Sequence, residues 1–232
     1  MVRSASKLTD ALKTTHDLSQ ETLDNNLTIV EGDIRDKEAV KRALVAKGGR
    51  VADIVITGIG AYGKLQWSIT TPITMRDLTL CQDGAKTVVS GLRELRAEGF
   101  SGAPLVVAIS TTGISQTRDV PYLMYPLYHW LLHVPHEDKK AMEDVFIAAA
   151  QDPSNPVDNF VLIRPTLLND DELKGISKVR VGWERPPHLA GERGPGPAMG
   201  YFVGRSDVGN WIYEEVVKNG QKWAGKCVSL TY

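Results

Sequence analysis

Two groups of polar side chains in this sequence could do chemistry. Ser110 begins a run of three hydroxyl residues directly after an apolar segment, and such hydroxyls can orient a substrate carbonyl. Histidine is the side chain most often used as a proton donor or acceptor near neutral pH, so His136 could supply a proton. Alternatively, the hydroxyls satisfy backbone groups at a strand end, and His136 is an exposed residue in the first turn of a helix. The hydroxyl run follows a predicted strand, which is where ligand sites of α/β sheets lie.

Three histidines lie close together in the sequence without indicating a metal site. His129, His133 and His136 are four and three residues apart, and no cysteine or carboxylate cluster completes a closed ligand pattern. We therefore predict no metal ion and interpret these histidines as buried or surface residues.

The elements around these residues predict an α/β fold. Leu27–Val30 and Ala52–Thr57 are short β-branched runs typical of strands buried in a parallel sheet. Between them, apolar residues at helical spacing follow a capping residue, Asp36, which completes a βαβ unit. Ligands collect at the carboxyl ends of the strands in doubly wound sheets. The first candidates for ligand contact are therefore Asp33, Ile34, Thr57 and Gly58.

Further elements are predicted along the chain: strands at Pro104–Ser110, Phe160–Arg164 and Lys226–Thr231, and helices at about Met75–Glu98, at His136–Ala150 and from Arg205 onward. Lys64–Thr74 is predicted to be a loop that closes over a site, and Val120–Pro135, rich in proline and aromatic residues, a loop-rich wall. Asn169–Gly200 is predicted to form a substrate-side flap in which Lys178–Val181 has the character of a strand.

The composition excludes several classes of function. The 232 residues suit one α/β domain spanning 1–232, and a net charge of −1 gives no field that would attract nucleic acid or an anionic membrane. No apolar run approaches the ~20 residues of a membrane helix, and the amino end has no signal-peptide core. We expect the two cysteines to be reduced thiols rather than a disulfide. We expect a cytoplasmic protein that acts on a small molecule, with no nucleic-acid or membrane partner.

Seven segments, in order, resemble the atypical short-chain dehydrogenase/reductase family, in particular its NmrA-like and biliverdin/flavin-reductase-like branch. They are VRSASKL, VEGDIRD, DIVITGIG, VVAISTTG, HEDKKAME, FVLIRPTLL and GRSDVGNWIYEEV. The resemblance covers nearly the whole chain. It implies a Rossmann-like three-layer sandwich with a mostly parallel sheet, and NADP as the cofactor.

The resemblance also implies that an amino-terminal portion is truncated or rebuilt. Family members begin with a strand, a glycine-rich turn and a helix, whereas Met1 corresponds to a position inside their second strand. The missing portion is on the order of 30 residues, and its absence would leave two strand edges unpaired and no glycine-rich phosphate loop. Gly58, Gly60 and Gly63 have a G-x-G-x-x-G spacing but occupy the family's fourth-strand position. The cofactor is accordingly NADP or none.

The family's cofactor contacts map onto four positions. Arg3 and Ser4 resemble the loop that binds the 2′-phosphate of NADP, for which a guanidinium is well suited. Asp33 and Ile34 resemble the pair that contacts adenine. The alternatives are a solvated amino terminus for Arg3 and Ser4 and a helix-capping turn for Asp33 and Ile34.

The catalytic residues of the family map less completely. Ser110 corresponds to the catalytic serine, and the tyrosine and lysine of the Tyr-x-x-x-Lys pair fall on Pro135 and Lys139. The lysine is therefore kept and the tyrosine is lost. The remaining proton donors are His136 and the tyrosines upstream of it, Tyr122, Tyr125 and Tyr128.

The resemblance implies an NAD(P)-dependent oxidoreductase acting on a small carbonyl or conjugated substrate. Ser110 would orient the substrate, Lys139 would support the nicotinamide ribose, and His136 or a tyrosine would supply a proton. The alternatives are a cofactor-independent cyclase or isomerase that uses Ser110 and His136, a non-catalytic dinucleotide-sensing regulator, and a truncated product without a competent site. A homodimer that donates the missing strands by swapping is also open.

Overall fold

The computed structural model describes residues 1–46, 48–61, 63–67 and 72–232, apart from the side chains of Leu65, Leu127 and His129. The helices are α1 (Ala5–His16), α2 (Gln20–Asn26), α3 (Lys37–Leu44), α4 (Leu80–Ala97), α5 (Tyr125–Ala150) and α6 (Arg205–Trp211). The strands are β1 (Val45–Ala46), β2 (Arg50–Val51), β3 (Ile54–Thr57), β4 (Gly63–Leu65), β5 (Ile73–Met75), β6 (Leu105–Ile109), β7 (Asn159–Pro165), β8 (Leu167–Asn169), β9 (Arg180–Glu184), β10 (Phe202–Gly204) and β11 (Lys226–Thr231).

A central sheet of five strands has the order β3-β6-β7-β11-β9. Neighbours from β3 to β11 are parallel, and β9 alone runs antiparallel, at the edge beside β11. This confirms the Rossmann-like α/β fold with a mostly parallel sheet. The carboxyl ends of the four parallel strands therefore meet at one edge, where the predicted site residues lie.

Helices cover both faces of the sheet. Val106 of β6 packs on one face with Val88 of α4 and Phe146 of α5. Its neighbour Val107 points to the other face and packs with Trp211 of α6, because successive side chains of a strand alternate. Fully burying such a side chain contributes about 1.5–3 kcal/mol. The two apolar clusters make the three layers that the sequence predicts.

The predicted strand at Leu27–Val30 is wrong. Its only sheet contact among the described residues is an isolated parallel bridge between Val2 and Glu31. The N–H of Val2 donates to the C=O of Val30, and the N–H of Gly32 donates to the C=O of Val2, each at 3.0 Å. The β-branched run indicates extended backbone correctly, but a ladder also needs a neighbouring strand along its length. The next helix is confirmed as α3, capped by Asp36.

Helix α4 begins later than its apolar pattern predicts. Ile73–Met75 pairs with Gly63–Leu65 as an antiparallel hairpin, so the helix starts at Leu80 rather than near Met75. It ends before Gly99, which has a φ of 92° and terminates it as predicted. Part of the predicted closing loop, residues 68–71, lies outside the described residues.

Helix α5 corrects the predicted loop-rich wall at Val120–Pro135. The helix begins at Tyr125, with Pro126 in its first turn, where a missing N–H costs nothing. It then continues through Pro135 to Ala150. Since a proline inside a helix removes one backbone hydrogen bond, sequence rules place a boundary there. The predicted helix His136–Ala150 is thus the second half of a longer one.

The strand predicted at Lys178–Val181 is confirmed only in its second half, since Lys178 ends a 3-10 turn (Ile176–Lys178) and β9 begins at Arg180. The last strand matches its prediction, and helix α6 starts at Arg205 as predicted and continues as a π-helix at Ile212–Val217. The interpretation of 169–200 as a substrate-side flap stays a prediction.

Asp207 anchors the start of α6 and provides a pH-dependent part of the stability. Its carboxylate accepts the N–H groups of Lys174 and Gly175 at 3.0 and 2.7 Å and the hydroxyl of Tyr232 at 2.6 Å. Burial alone would raise the pKa of Asp207, but these hydrogen bonds lower it below its ordinary value of 3.8. The stabilisation is therefore present at neutral pH and is lost as the pH falls below 3.8.

We expect Asp207→Asn to lower the free energy of unfolding by about 2 kcal/mol at pH 7, because it removes charge-assisted hydrogen bonds. The difference from the wild type should shrink when urea unfolding is repeated near pH 3. A difference that grows on acidification would contradict the depressed pKa.

Candidate active site

Lys139 joins the ends of two neighbouring strands. Its Nζ donates to the C=O of Ile59, just after β3, at 2.6 Å, and to the C=O of Ile109, the last residue of β6, at 2.7 Å. The ammonium group therefore lies at the carboxyl edge of the sheet. It is held there by α5, which packs along α4 over that edge.

Two buried hydroxyls point to the same edge. Thr57 ends β3 and Ser110 follows β6, and both are buried. Within the described part of the chain, neither Oγ1 of Thr57 nor Oγ of Ser110 has a hydrogen-bond partner. The N–H of Ser110 donates to the C=O of Ile163 at 2.7 Å, which fixes the backbone. Since a buried hydroxyl without a partner is costly, a ligand that bonds to both would relieve the cost.

A second polar group packs against the loop after β6. The ring centroids of Tyr128 and His136 are 5.2 Å apart, and both side chains are buried. The hydroxyl of Tyr128 lies 3.3 Å from Oγ1 of Thr112. Of the three tyrosines that the sequence offers as proton donors, Tyr122 and Tyr125 are exposed. Tyr128 is thus the one that the fold brings next to His136.

Two buried aspartates that sequence analysis missed hold this arrangement. Oδ2 of Asp119 accepts the N–H of Gly113 at 2.7 Å and so shapes the loop after β6. The carboxylate of Asp138 accepts the N–H groups of Cys81 and Gln82, each at 2.9 Å, and caps α4 from the neighbouring helix. Both pairs are distant in sequence or lie in irregular loops, so helix-capping rules, which look three residues ahead, could not find them.

The acid–base chemistry of the site does not extend to Cys81. Burial raises the pKa of its thiol to about 11, with a smaller opposing effect from Lys139. The thiol is therefore protonated at neutral pH, and it donates to the C=O of Ile59 at 3.4 Å.

In the described residues, no group of three or more histidine, cysteine, aspartate or glutamate side chains is placed to hold a metal ion. No described helix is long and apolar enough to cross a membrane.

A buried ion network lies beneath the site. Nε and Nη2 of Arg164 donate to the two carboxylate oxygens of Glu143 at 2.9 and 2.6 Å, and Nη1 donates to Glu184 at 2.5 Å and to Ser115 at 2.9 Å. Burial lowers the pKa of Arg164, but the charge and hydrogen bonds of Glu143 outweigh burial and raise it. The network connects α5, β7, β9 and the loop after β6.

A cavity of about 540 Å³, here called the slot, opens beside β3. One wall is residues 54–60; the other is residues 1–3 together with residues 32–34. Helices α3 and α4 supply the floor. The slot brings together five of the six predicted cofactor contacts, which are Arg3, Asp33, Ile34, Thr57 and Gly58.

The sixth predicted contact, Ser4, has a structural task. Its Oγ accepts the N–H of Lys7 at 3.4 Å and caps α1. Glu31 lies beside it, and its Oε2 accepts the N–H of Ala5 at 2.9 Å. Asp33 likewise accepts the N–H of Arg35 at 2.9 Å, as expected for a capping turn. The capping turn given as the alternative for Asp33 is therefore observed, whereas Ser4 caps α1, a role that its alternative of a solvated terminus did not include. Neither role prevents ligand contact.

Comparison with known proteins identifies two relatives of this chain. Reductase pytE of Aspergillus terreus is 41% identical over 244 residues, which cover 100% of this chain and 87% of that protein. The chain belongs to the family of this reductase. Oxidase pynE of Aspergillus niger is 33% identical over 263 residues, covering 100% of the chain and 88% of that protein. Both relatives are named for redox activities, so this is a family of oxidoreductases. No protein-family model matches the chain.

Solved structures with a partly similar arrangement include short-chain dehydrogenases and reductases. L-sorbose reductase from Gluconobacter frateurii, complexed with NADPH and L-sorbose, has a TM-score of 0.45 and 17% identity, over 72% of this chain and 59% of that one. A short-chain dehydrogenase from Streptomyces avermitilis has a TM-score of 0.44 and 17% identity, over 96% of this chain and 67% of that one. At this level of similarity, the match describes only how the helices and strands are arranged.

Within this oxidoreductase family member, the pseudo-motif at Gly58, Gly60 and Gly63 has the wrong context for a phosphate loop. It follows β3 as predicted, but Gly63 begins strand β4 rather than a helix. Helix N–H groups are what cradle a pyrophosphate. The motif therefore lacks the helix start that a pyrophosphate site of this kind uses.

Gly113 allows the loop after β6 to pass close to His136 and Tyr128. Its φ is 94°, and a Cβ built on it would lie 2.5 Å from Cε1 of His136 and 2.7 Å from Cε1 of Tyr128. We expect Gly113→Ala to lower both stability, by at least about 1–3 kcal/mol, and turnover, because the two rings must move. Thermal melting and steady-state kinetics would show this. Gly209→Ala, at a helical position where a Cβ meets no atom within 4 Å, is the matched control.

Proposed function

We propose that this family member is an NADPH-dependent reductase of a small carbonyl or conjugated substrate. The observation that carries the proposal is the carboxyl edge of the sheet. There the Lys139 ammonium bridges two strand ends, beside the hydroxyls of Thr57 and Ser110, which have no partner among the described residues. The 41% identity to a protein named a reductase supports this direction of reaction over the 33% identity to one named an oxidase.

The residues present fit a dinucleotide in part. The slot gathers Arg3, Asp33 and Ile34 at one end, where a guanidinium suits the 2′-phosphate and Ile34 gives an apolar surface for adenine. The buried hydroxyls of Thr57 and Ser110 have no hydrogen-bond partner in the part of the chain that the structure describes, which favours a polar ligand beside them. The described residues contribute no glycine-rich turn opening a helix at this edge, so the pyrophosphate is the least supported part.

The dinucleotide, when bound, would supply a hydride. The side chains of this chain would do the remaining work. Ser110 would donate to the substrate carbonyl oxygen and hold it in place. Lys139, fixed by two carbonyls, would place a positive charge where negative charge develops on that oxygen and would support the ribose. His136, with Tyr128 packed against it, would supply the proton.

Arg3 and Glu31 act in opposite senses on the choice of cofactor. A carboxylate near the adenine ribose suits the free 2′-hydroxyl of NADH, whereas an arginine accommodates the 2′-phosphate of NADPH. Glu31 already accepts the N–H of Ala5, and Arg3 is exposed at the mouth of the slot. Arg3 is thus the group left to meet a phosphate, which is why the proposal names NADPH.

The test is calorimetric titration of the folded protein with NADPH and NADH. We expect NADPH to bind more tightly, and Arg3→Ala to weaken NADPH binding about 10- to 100-fold, as the loss of a charge-assisted contact predicts, while leaving NADH binding unchanged. Lys13→Ala, in the last turn of α1, controls for net charge. A well-folded protein that binds neither dinucleotide would overturn the proposal and favour a cyclase or isomerase that uses Ser110 and His136.

A further inference from the structure

The loop between β6 and α5 lies against the candidate proton donors. Residues 112–119 of this loop are here called the β6 loop. Oγ1 of Thr112 lies 3.3 Å from the hydroxyl of Tyr128. A Cβ built on Gly113 would lie 3.0 Å from Nε2 of His136. The position of the β6 loop therefore sets the space that the rings of Tyr128 and His136 occupy.

Backbone contacts and one carboxylate hold the part of the β6 loop that is nearest to these rings. The N–H of Thr112 donates to the C=O of Pro165 at 3.2 Å. Oδ2 of Asp119 accepts the N–H groups of Gly113 and Ser115 at 2.7 and 3.4 Å. Asp119 is buried, so water weakens these bonds little. Together these contacts fix the shape of the turn.

Two side-chain bonds join the outer part of the β6 loop to the ion network beneath the site. Nη1 of Arg164 donates to Oγ of Ser115 at 2.9 Å. The hydroxyl of Thr117 donates to Oε2 of Glu184 at 3.3 Å. Arg164 lies in β7 and Glu184 in β9, and Nη1 of the arginine also donates to Oε1 of the glutamate. The β6 loop is thus fixed to two strands of the sheet through one ion pair.

The ion network does not need the two hydroxyls for its own pairing. Arg164 already has the carboxylates of Glu143 and Glu184 as partners. Ser115 is only partly buried and Thr117 is exposed, so water can replace their partners when the loop moves away. Hydrogen bonds that water can replace contribute little net stability. Their main effect is therefore on the position of the loop.

We propose that Ser115 and Thr117 are positioning residues for His136. By fixing the β6 loop to the sheet, they hold Gly113 against the imidazole ring and keep that ring in one orientation. Resting on the proposed function, this orientation serves the transfer of a proton from His136 to the carbonyl oxygen of the substrate, while the hydride adds to the carbonyl carbon. The step forms the O–H bond of the product alcohol, and solvent then returns a proton to His136.

The first experiment needs neither cofactor nor substrate. Diethyl pyrocarbonate modifies accessible imidazoles, and digestion followed by mass spectrometry gives a rate for each histidine of the whole chain. In the wild type, buried His136 should react slowly and exposed His16 quickly. In the double variant Ser115→Ala, Thr117→Val, His136 should react about tenfold faster, because two bonds that oppose opening of the loop are lost, while His16 is unchanged. Equal rates for His136 in the two proteins overturn the proposal.

The matched control is the double variant Thr14→Val, Ser154→Ala. Its two hydroxyls bond outside the β6 loop, to the C=O of Asp10 and to the carboxylate of Asp152. It should leave the rate of His136 unchanged. Thermal melting should show that both double variants are folded. Loss of the cooperative melt in the variant of the β6 loop would show that its hydroxyls are needed for folding, and this overturns the proposal.

Turnover tests the proton step. The variant of the β6 loop should have a kcat about tenfold below that of the wild type, a part of what a positioned proton donor contributes. The solvent deuterium isotope effect on kcat should rise, because proton transfer becomes slower, while NADPH affinity stays the same. A faster reaction of His136 with unchanged kcat and isotope effect overturns the positioning role. A wild type that binds no dinucleotide overturns the proposed function, whereas faster modification of His136 in the variant still supports the anchoring of the loop.

Discussion

Glu143→Gln is expected to lower the free energy of unfolding by about 3–5 kcal/mol, the usual effect of removing one partner from a buried ion pair. Glu143 is fully buried and receives two hydrogen bonds from Arg164. The glutamine amide can accept only one of these two hydrogen bonds and carries no charge, so among the described residues the guanidinium keeps Glu184 as its one carboxylate partner. For a domain of this size the melting temperature should fall by roughly 10 °C. Urea and thermal unfolding would measure both quantities.

The neighbouring residue provides the control. Asp144 pairs with Lys140 on the same helix, but that pair is exposed, and exposed pairs contribute about 0–1 kcal/mol. Asp144→Asn should therefore have little effect. If the two substitutions cost the same, the network around Arg164 is not a main source of stability. The double variant Glu143→Met, Arg164→Met should recover part of the loss, since it leaves no unpaired charge from this pair.

Ser110→Ala is expected to reduce kcat by about 10²–10³-fold, in line with the loss of one donor to a developing oxyanion. The hydroxyl has no partner among the described residues, while the backbone N–H of Ser110 keeps its bond to Ile163 in the variant. Stability and NADPH affinity should therefore change little. The measurement is NADPH oxidation with whichever member of a panel of small aldehydes, ketones and enones supports turnover.

Thr111→Val tests whether the effect belongs to Ser110. The Thr111 hydroxyl donates to the C=O of the next residue, Thr112, at 3.0 Å. Its removal therefore costs one local hydrogen bond to the backbone. Turnover should remain within a few-fold of the wild type. Unchanged kcat in Ser110→Ala would remove the serine from the catalytic role and leave the Tyr128 and His136 pair as the acid–base group.

The strands and helix ends that depend only on neighbouring residues are predicted correctly from the sequence. β6, β7 and β11 read as apolar runs because they are buried on both faces, and Asp36 and Gly99 mark helix ends through local capping geometry. Leu27–Val30 has the same local pattern without forming a ladder, because pairing depends on a neighbour that the pattern does not contain.

In the candidate site, too, the residues identified by local sequence are predicted and those that depend on tertiary packing are not. Ser110, Thr57 and Lys139 are predictable because strand ends and the family motif identify them. Tyr128 as the relevant tyrosine, and Asp119 and Asp138 as the supports, depend on how α5 crosses the sheet edge. Because a proline usually ends a helix, the sequence predicts a boundary at Pro135. It therefore does not predict that Tyr128 and Lys139 lie on one continuous helix. Tertiary packing decided these points.

Pro135 divides α5 into two halves that differ in hydrogen bonding and burial. Pro135 has no N–H, so the C=O of Leu131, one turn earlier, receives no bond from the helix ladder at that position. The first half carries exposed side chains such as Tyr125 and Trp130, whereas the second half is anchored by Met142 and Phe146. The amides ahead of Pro135 should therefore exchange with deuterium sooner than those after it. Local opening of the first half would therefore leave the turn that holds Lys139 in place.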